Sequence, residues 1–207
     1  MTKSAIKALI FDMGRVLVDL DFSAAMTRFP QTQLDIGRII RFSAADDPTF
    51  IAFERGEISP EDFHRYVCGL CGITVDFEVF RQMWTSIFRE MPGMEELAGE
   101  LRSAGRWRLG LLSDTDPLHW AQISQQFPWI PEIFTTPTLS FREKICKPAA
   151  EIFRRAAAHA GFAPEECLFI DDRADNVAGA QAVGMRGYRF TGTTALRETL
   201  NALTEEE

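Results

Sequence analysis

Residues 8–14 read ALIFDMG, an apolar run that stops abruptly at a carboxylate. The four residues from Ala8 to Phe11 are apolar without interruption, and Asp12 follows them. A short continuous run of this kind is typical of a strand in a parallel sheet that is covered on both faces. Gly14 then favours a turn at the carboxyl end of this strand.

The same pattern occurs twice more in the chain. In RLGLLSD, residues 108–114, the apolar run ends at Ser113, and in CLFIDD, residues 167–172, it ends at Asp171 and Asp172. Helical patterns with a glycine stop alternate with these runs, at residues 94–105, 149–161 and 174–184. The alternation predicts an α/β protein with a Rossmann-like, doubly wound parallel sheet. Ligands of such sheets bind beyond the carboxyl ends of the strands, where Asp12, Ser113, Asp171 and Asp172 would meet.

Residues 17–91 follow a different pattern, which is helical and has no clear strands. Ser59 and Pro60 form a helix start, and residues 74–88 place Phe77, Phe80, Met83, Trp84, Ile87 and Phe88 on one apolar face. We therefore expect a core domain made of residues 1–16 and 92–207, with an all-helical cap at 17–91 over the site. Substrate specificity should depend on the cap, which includes Phe22, Arg55, His64 and Trp84.

The composition excludes several classes of function. The 207 residues are 46% hydrophobic and 25% charged, which is ordinary for a globular protein, and the net charge of −8 argues against binding to nucleic acid or anionic membranes. We find no apolar run of membrane-spanning length and no secretory signal, so we expect a soluble cytoplasmic protein, either monomer or homodimer. Cys68 and Cys71 have redox-motif spacing but close an amphipathic helix, which favours structural thiols.

Four motifs occur in a fixed order along the chain. They are FDMGRVLVD with Asp12, LLSD with Ser113, CKP with Lys147, and FIDDRADNVAGA with Asp171 and Asp172. With these motifs the chain resembles the haloacid dehalogenase (HAD) superfamily over almost its whole length. The segments DMGRVLVDLDF and ERGEIS are further similar to a bacterial subgroup that includes α-D-glucose-1-phosphate phosphatases.

The resemblance implies an Mg²⁺-dependent phosphatase that acts on a small-molecule phosphate ester, such as a sugar 1-phosphate. Asp12 would be the nucleophile and form an aspartyl-phosphate. Asp12, the Gly14 carbonyl and Asp172 would bind Mg²⁺, with Asp171 as a further ligand or as a partner of a metal-bound water. Ser113 and Lys147 would contact the phosphoryl group, together with Asp114 and Arg15 as further substrate-binding residues, and Asn176 would support the metal site.

Two other functions stay open at this point. HAD dehalogenases use the same aspartate to attack carbon without a metal, but they carry hydroxyl residues where this chain has Asp171 and Asp172. The chain could also be a HAD-like binding or regulatory protein with vestigial catalysis. The carboxylate pair favours a cation, and therefore the phosphatase, over both alternatives.

The chain departs from the family pattern at two positions. Many relatives have a proton-donating aspartate where this chain has Gly14, and general acid catalysis contributes about 10²–10⁴-fold. Without this acid, aryl and anomeric phosphates should react much faster than primary alkyl phosphates. Asp114 stands where an Asn is common, and it either caps the helix that begins near Pro117 or, like His119, replaces the acid. Arg15 could contact substrate or pair with Asp19 or Asp21.

Overall fold

The computed structural model describes residues 5–23 and 47–205. Seven strands and ten α-helices are described: β1 Ala8–Phe11, β2 Val18–Leu20, α1 Pro48–Glu54, α2 Pro60–Cys71, α3 Phe77–Thr85, β3 Phe88–Glu90, α4 Met94–Ala104, β4 Arg108–Ser113, α5 Pro117–Gln126, α6 Trp129–Ile133, β5 Thr138–Leu139, α7 Ser140–Glu143, α8 Ala150–Ala160, β6 Cys167–Asp171, α9 Ala174–Ala182, β7 Arg186–Arg189 and α10 Thr193–Glu205.

The central sheet has five parallel strands in the order β5-β4-β1-β6-β7. In β1, Leu9 is in register with Leu109 of β4 and with Leu168 of β6. The parallel register brings the carboxyl ends of β1, β4 and β6 to one edge, as the three apolar runs predict. The doubly wound α/β fold is confirmed.

Helices cover both faces of the sheet. Because successive side chains along a strand point to opposite faces, each strand contributes to two hydrophobic clusters. From β1, Leu9 and Phe11 face one hydrophobic cluster, which includes residues of α4 and α10. Ala8 and Ile10 face the other cluster, which includes residues of α8 and α9. Both faces of β1 are buried, which explains why its sequence is apolar without interruption.

The segment between β2 and β3 is helical in its described part. Ser59 caps α2 by accepting a hydrogen bond from the amide of Asp62 at 3.0 Å, as its sequence predicts. Cys68 and Cys71 lie in the last turn of this helix. Residues 24–46 of the predicted cap lie outside the described residues. We use the name helical insertion for α1, α2 and α3.

The sequence did not indicate the two strands that flank the helical insertion. β2 and β3 form an antiparallel pair, with Val18 opposite Glu90 and Leu20 opposite Phe88. α3 ends at Thr85, so the expectation that Ile87 and Phe88 belong to its apolar face is wrong. The backbone of residues 88–90 forms hydrogen bonds with β2 instead of continuing the helix. Among the described helices, none is both long and apolar enough to cross a membrane.

Candidate active site

Lys147 joins two carboxylates at the carboxyl edge of the sheet. Its Nζ donates to Asp12 Oδ1 at 2.7 Å and to Asp171 Oδ2 at 2.9 Å. The three side chains are nearly inaccessible to solvent, with exposures of 3% for Lys147, 11% for Asp12 and 0% for Asp171. Charge-assisted hydrogen bonds are strong where solvent is excluded, so they hold all three side chains in fixed positions.

Asp171 is fixed by two further donors. Asn176 Nδ2 donates to Asp171 Oδ2 at 3.0 Å, and the amide of Arg173 donates to Asp171 Oδ1 at 2.8 Å. The contact from Asn176 agrees with the supporting position that the sequence indicates for it. Asp171 therefore uses both oxygens within the protein and orients Lys147.

Asp12, Asp171 and Asp172 form an acidic group whose oxygens lie within 4.8 Å of one another. Burial raises the pKa of Asp12, against the influence of Lys147. Burial and the charge of Asp171 raise the pKa of Asp172. The pKa of Lys147 is held above its ordinary value because the surrounding carboxylates outweigh its burial. Three carboxylates and one ammonium leave an excess of negative charge on oxygen donors, which fits a hard divalent cation such as Mg²⁺.

Ser113 is the last residue of β4, and Asp114 begins the loop after it. Ser113 is buried at the edge of the sheet. Asp114 Oδ1 accepts a hydrogen bond from the amide of Lys147 at 2.9 Å, and this bond ties the loop to the residue that bridges the carboxylates. The expectation that Asp114 caps the next helix is wrong. The cap of α5 is Asp116, which accepts from the amides of Leu118 and His119.

Gly14 and Arg15 form the turn after β1. Gly14 pairs with Val18 in an isolated bridge, and the amide of Arg15 donates to the carbonyl of Val18 at 2.6 Å. Arg15 has a φ of 60° and is exposed. Its charge lowers the pKa of Asp172, so Arg15 lies near the acidic group. Asp21, one of its suggested partners, pairs with Arg89 at 3.6 Å.

His119, the other suggested acid, is engaged at both ring nitrogens. Nδ1 lies 2.8 Å from Asp116 Oδ2, and Nε2 lies 3.1 Å from the carbonyl oxygen of Trp84. The ring also stacks on the Trp84 indole, whose Nε1 donates to Asp116 Oδ2 at 3.1 Å. These contacts join α3 to α5, so His119 holds the helical insertion against the core. His64 is likewise structural, with Nε2 2.9 Å from the carbonyl of Val75.

The match to a family model decides the classification. Residues 6–184 match the model of the haloacid dehalogenase-like hydrolases, which is most of the chain. This chain belongs to that family. The fold and the order of the four motifs agree with this membership.

Two curated relatives of this HAD hydrolase are phosphatases. This chain is 26% identical over 213 residues to a D-ribitol-5-phosphate phosphatase of Bacteroides thetaiotaomicron, and the match covers 96% of this chain and 98% of the relative. It is 31% identical over 193 residues to a sesquiterpene phosphatase of Aspergillus oryzae, covering 91% and 92%.

A solved structure is similar over the same range. It is the HAD family enzyme BT-2542 of Bacteroides thetaiotaomicron, in complex with magnesium and inorganic phosphate. The TM-score is 0.79 with 29% identity, over 91% of this chain and 96% of that chain. The prediction that the chain is a HAD-type enzyme is confirmed, and the relatives named above support a phosphatase.

Sequence analysis missed Glu54 of the helical insertion of this HAD hydrolase. Glu54 is the last residue of α1 and is half-buried. Burial raises its pKa to about 7, with further contributions from the charges of Asp114 and Asp116, while His119 and Lys147 oppose the rise. The only signal for it in the sequence is the segment ERGEIS, which begins at Glu54.

Proposed function

We propose that this HAD hydrolase is an Mg²⁺-dependent phosphatase of small phosphomonoesters. The observation that carries the proposal is the buried bridge from Lys147 to Asp12 and Asp171, beside Asp172. A reactive carboxylate, a fixed ammonium and an excess of carboxylate oxygens are what phosphoryl transfer to an aspartate requires.

The residues at the edge of the sheet fit a magnesium ion. Asp12 and Asp172 would hold it together with the backbone carbonyl of Gly14, and Asp171 would support it through the hydrogen bonds described above. When bound, Mg²⁺ supplies positive charge that offsets the repulsion between a carboxylate and a phosphate ester. The complex of BT-2542 with magnesium and phosphate supports this choice of metal.

The protein side chains then have distinct tasks. Asp12 attacks phosphorus through a carboxylate oxygen and forms an aspartyl-phosphate, which water hydrolyses in a second step. Lys147 keeps Asp12 in position and neutralises charge on the transferred group. Ser113 donates to a phosphoryl oxygen, and Asp114 holds the Lys147 backbone in place. Arg15 lies at the exposed rim, where it can contact the substrate.

We propose sugar or polyol phosphates as the substrate class, including sugar 1-phosphates. The activity printed for the Bacteroides relative, on D-ribitol 5-phosphate, supports a polyol ester. The helical insertion would act as the cap domain predicted for residues 17–91. Its polar residues next to the site would then select the alcohol part of the substrate.

Hydrolysis of p-nitrophenyl phosphate by the purified protein tests the proposal. We expect turnover with Mg²⁺, no turnover with EDTA, and a loss of at least about 10⁴-fold in Asp12→Asn, because the nucleophile is removed. A panel of sugar and polyol phosphates then identifies the preferred ester.

The same preparation distinguishes the two alternative functions. Halide release from a 2-haloacid without metal would indicate a dehalogenase. Turnover no higher than that of Asp12→Asn, in a folded protein, would indicate a binding protein and refute the phosphatase proposal.

A further inference from the structure

Three consecutive residues of the helical insertion, Glu54, Arg55 and Gly56, form what we call the ERG turn. It is docked on the core at several points. Lys144 Nζ donates to the carbonyl of Gly56 at 2.6 Å. A Cβ at Gly56 would lie 2.6 Å from the carbonyl oxygen of Phe141, and the φ of Gly56 is 59°, so only glycine fits this contact without strain.

The buried hydroxyl of Ser140 ties the ERG turn to the catalytic loop. It lies 2.7 Å from the Glu54 carbonyl oxygen, which accepts its hydrogen, and 3.0 Å from the carbonyl oxygen of Thr115. The same hydroxyl accepts a hydrogen bond from the amide of Thr115 at 2.9 Å. Thr115 is two residues from Ser113. The backbone of Glu54 is therefore fixed, through one side chain, to the loop that follows Ser113 and begins at Asp114.

This docking places the Glu54 carboxyl among the charged groups of the site. Its electrostatic partners are Asp114 and Asp116 from the loop after β4, His119 from α5, and Lys147. Glu54 also influences the Cys146 thiol, which interacts with the side chain of Arg55. Lys147 also contacts the nucleophile Asp12, so one of the charges that act on Glu54 lies at the reaction centre.

The other titratable groups that influence the pKa of Glu54 have hydrogen-bond partners within the protein. Asp114 accepts the Lys147 amide, Asp116 caps α5, and His119 is bonded at both nitrogens. Position 14 has no side chain. In contrast, the hydrogen bond that anchors Glu54 uses its backbone carbonyl and not its carboxyl group.

We propose that Glu54 is the general acid that protonates the leaving alcohol, in place of the carboxylate that position 14 lacks. This assignment rests on the proposed phosphatase function. As Asp12 bonds to phosphorus, the bond from phosphorus to the ester oxygen breaks and its electron pair stays on that oxygen. The Glu54 proton passes to the same oxygen, which gives a neutral alcohol, an aspartyl-phosphate and the Glu54 carboxylate. In the second step the Glu54 carboxylate takes a proton from water as the water oxygen bonds to phosphorus. The bond from phosphorus to the Asp12 oxygen breaks and its electron pair stays on Asp12, which releases phosphate and restores the Asp12 carboxylate and the protonated Glu54.

A leaving-group series tests the assignment. The substrates are p-nitrophenyl phosphate, phenyl phosphate and a primary alkyl phosphate such as ribitol 5-phosphate, compared by kcat/KM. For Glu54→Gln we expect a loss of about 10²–10⁴-fold on the alkyl ester, because an alkoxide leaves poorly without a proton. The loss on p-nitrophenyl phosphate should be less than about tenfold, because its phenolate leaves unaided. Glu57→Gln, which removes an exposed acid three residues away, should match wild type on every ester.

The pH profile gives a second readout of the same group. A general acid must be protonated, so wild-type kcat/KM on the alkyl ester should fall as the pH rises through the pKa of Glu54, about 7. Glu54→Gln should lose this limb. The groups that face Glu54 and set its pKa are Asp114, Asp116, His119 and Lys147.

Each other outcome is decisive. Equal losses on all three esters, with kcat unchanged and KM raised, would show that Glu54 binds substrate and would overturn the assignment. If Glu54→Gln does not fold, the wild-type series decides alone: a rate that falls steeply as the leaving group becomes more basic would mean that no acid assists departure. Absence of wild-type turnover on every ester would instead refute the phosphatase function itself.

Discussion

Two clusters of charged side chains differ in their balance of charge. The cluster at the proposed active site, which we call the catalytic cluster, consists of Asp12, Asp171 and Asp172 with one ammonium, that of Lys147. The latch cluster consists of Asp116, His119 and Trp84. It pairs one carboxylate with one imidazole, and the indole completes its hydrogen bonds.

This difference distinguishes a cluster of charges that can bind a ligand from one that stabilises the fold. In the latch cluster every polar contact is satisfied within the protein, so it holds α3 against α5 and has nothing to offer a ligand. In the catalytic cluster the negative charge exceeds the positive charge, so an incoming cation lowers its energy. Perturbed pKa values occur in both clusters, and the excess of charge is what separates them.

Lys147→Met should have the largest effect on stability. The variant removes the ammonium and leaves Asp12 and Asp171 without the positive charge that they share, which should cost about 3–5 kcal/mol in the free energy of unfolding. Urea unfolding in EDTA measures the loss, and added Mg²⁺ should recover part of it. kcat/KM should fall by about 10²–10³-fold. Wild-type stability in this variant would mean that the cluster holds little uncompensated charge.

His119→Gln should have an intermediate effect that depends on pH. Burial lowers the pKa of His119, but Asp116 outweighs it, and the pKa lies above the ordinary 6.5. The pKa of Asp116 lies below the ordinary 3.8, because its hydrogen bonds and the charge of His119 outweigh burial. The pair therefore stabilises the fold fully between about pH 4 and 6.5. Its contribution is lost as the pH rises through the folded pKa of His119, or falls through that of Asp116.

Thermal unfolding of His119→Gln across pH measures this contribution. We expect a loss of about 1–3 kcal/mol between pH 4 and 6.5, shrinking at higher pH. His159→Gln, at an exposed histidine, serves as the control. A loss that stays constant across pH would show that the latch acts through packing rather than through charge.

Asp172→Asn should have the smallest effect on stability, with the opposite sign. It removes one of three adjacent negative charges, so in EDTA the Tm should rise by about 2–4 °C. The rise in Tm that Mg²⁺ gives the wild type should disappear, together with most of the activity. Asp175→Asn removes an exposed acid from the first turn of α9, three residues further along the chain, and should retain the response to Mg²⁺. A fall in Tm for Asp172→Asn would contradict the excess of charge in the catalytic cluster.

The core of the fold could be predicted from the sequence because its signals are local. A strand that is buried on both faces must be apolar, so the runs ALIF and CLFI can be recognised as strands. The polar residue that follows each run marks the carboxyl edge of the sheet. The glycine stops of α4 and α8 are equally local, since Gly105 and Gly161 take the left-handed conformation at each helix end.

The missed features depend on contacts between distant parts of the chain. β2 and β3 have three residues each and become strands only by pairing with each other. The sequence favoured Asp114 as the cap of α5, but Asp114 accepts the amide of Lys147, 33 residues further along the chain, and Asp116 caps the helix. The position of Glu54 depends on Ser140, which lies 86 residues further along the chain.

The pairing of β2 with β3 has a consequence for how such an enzyme can evolve. The two strands hold side by side the points at which the chain leaves the core and returns to it. Since the entropy of closing a loop grows only slowly with loop length, the segment between them can lengthen, shorten or be exchanged at little cost to the core. The substrate preference proposed for the helical insertion can therefore change while the sheet and the catalytic cluster stay the same.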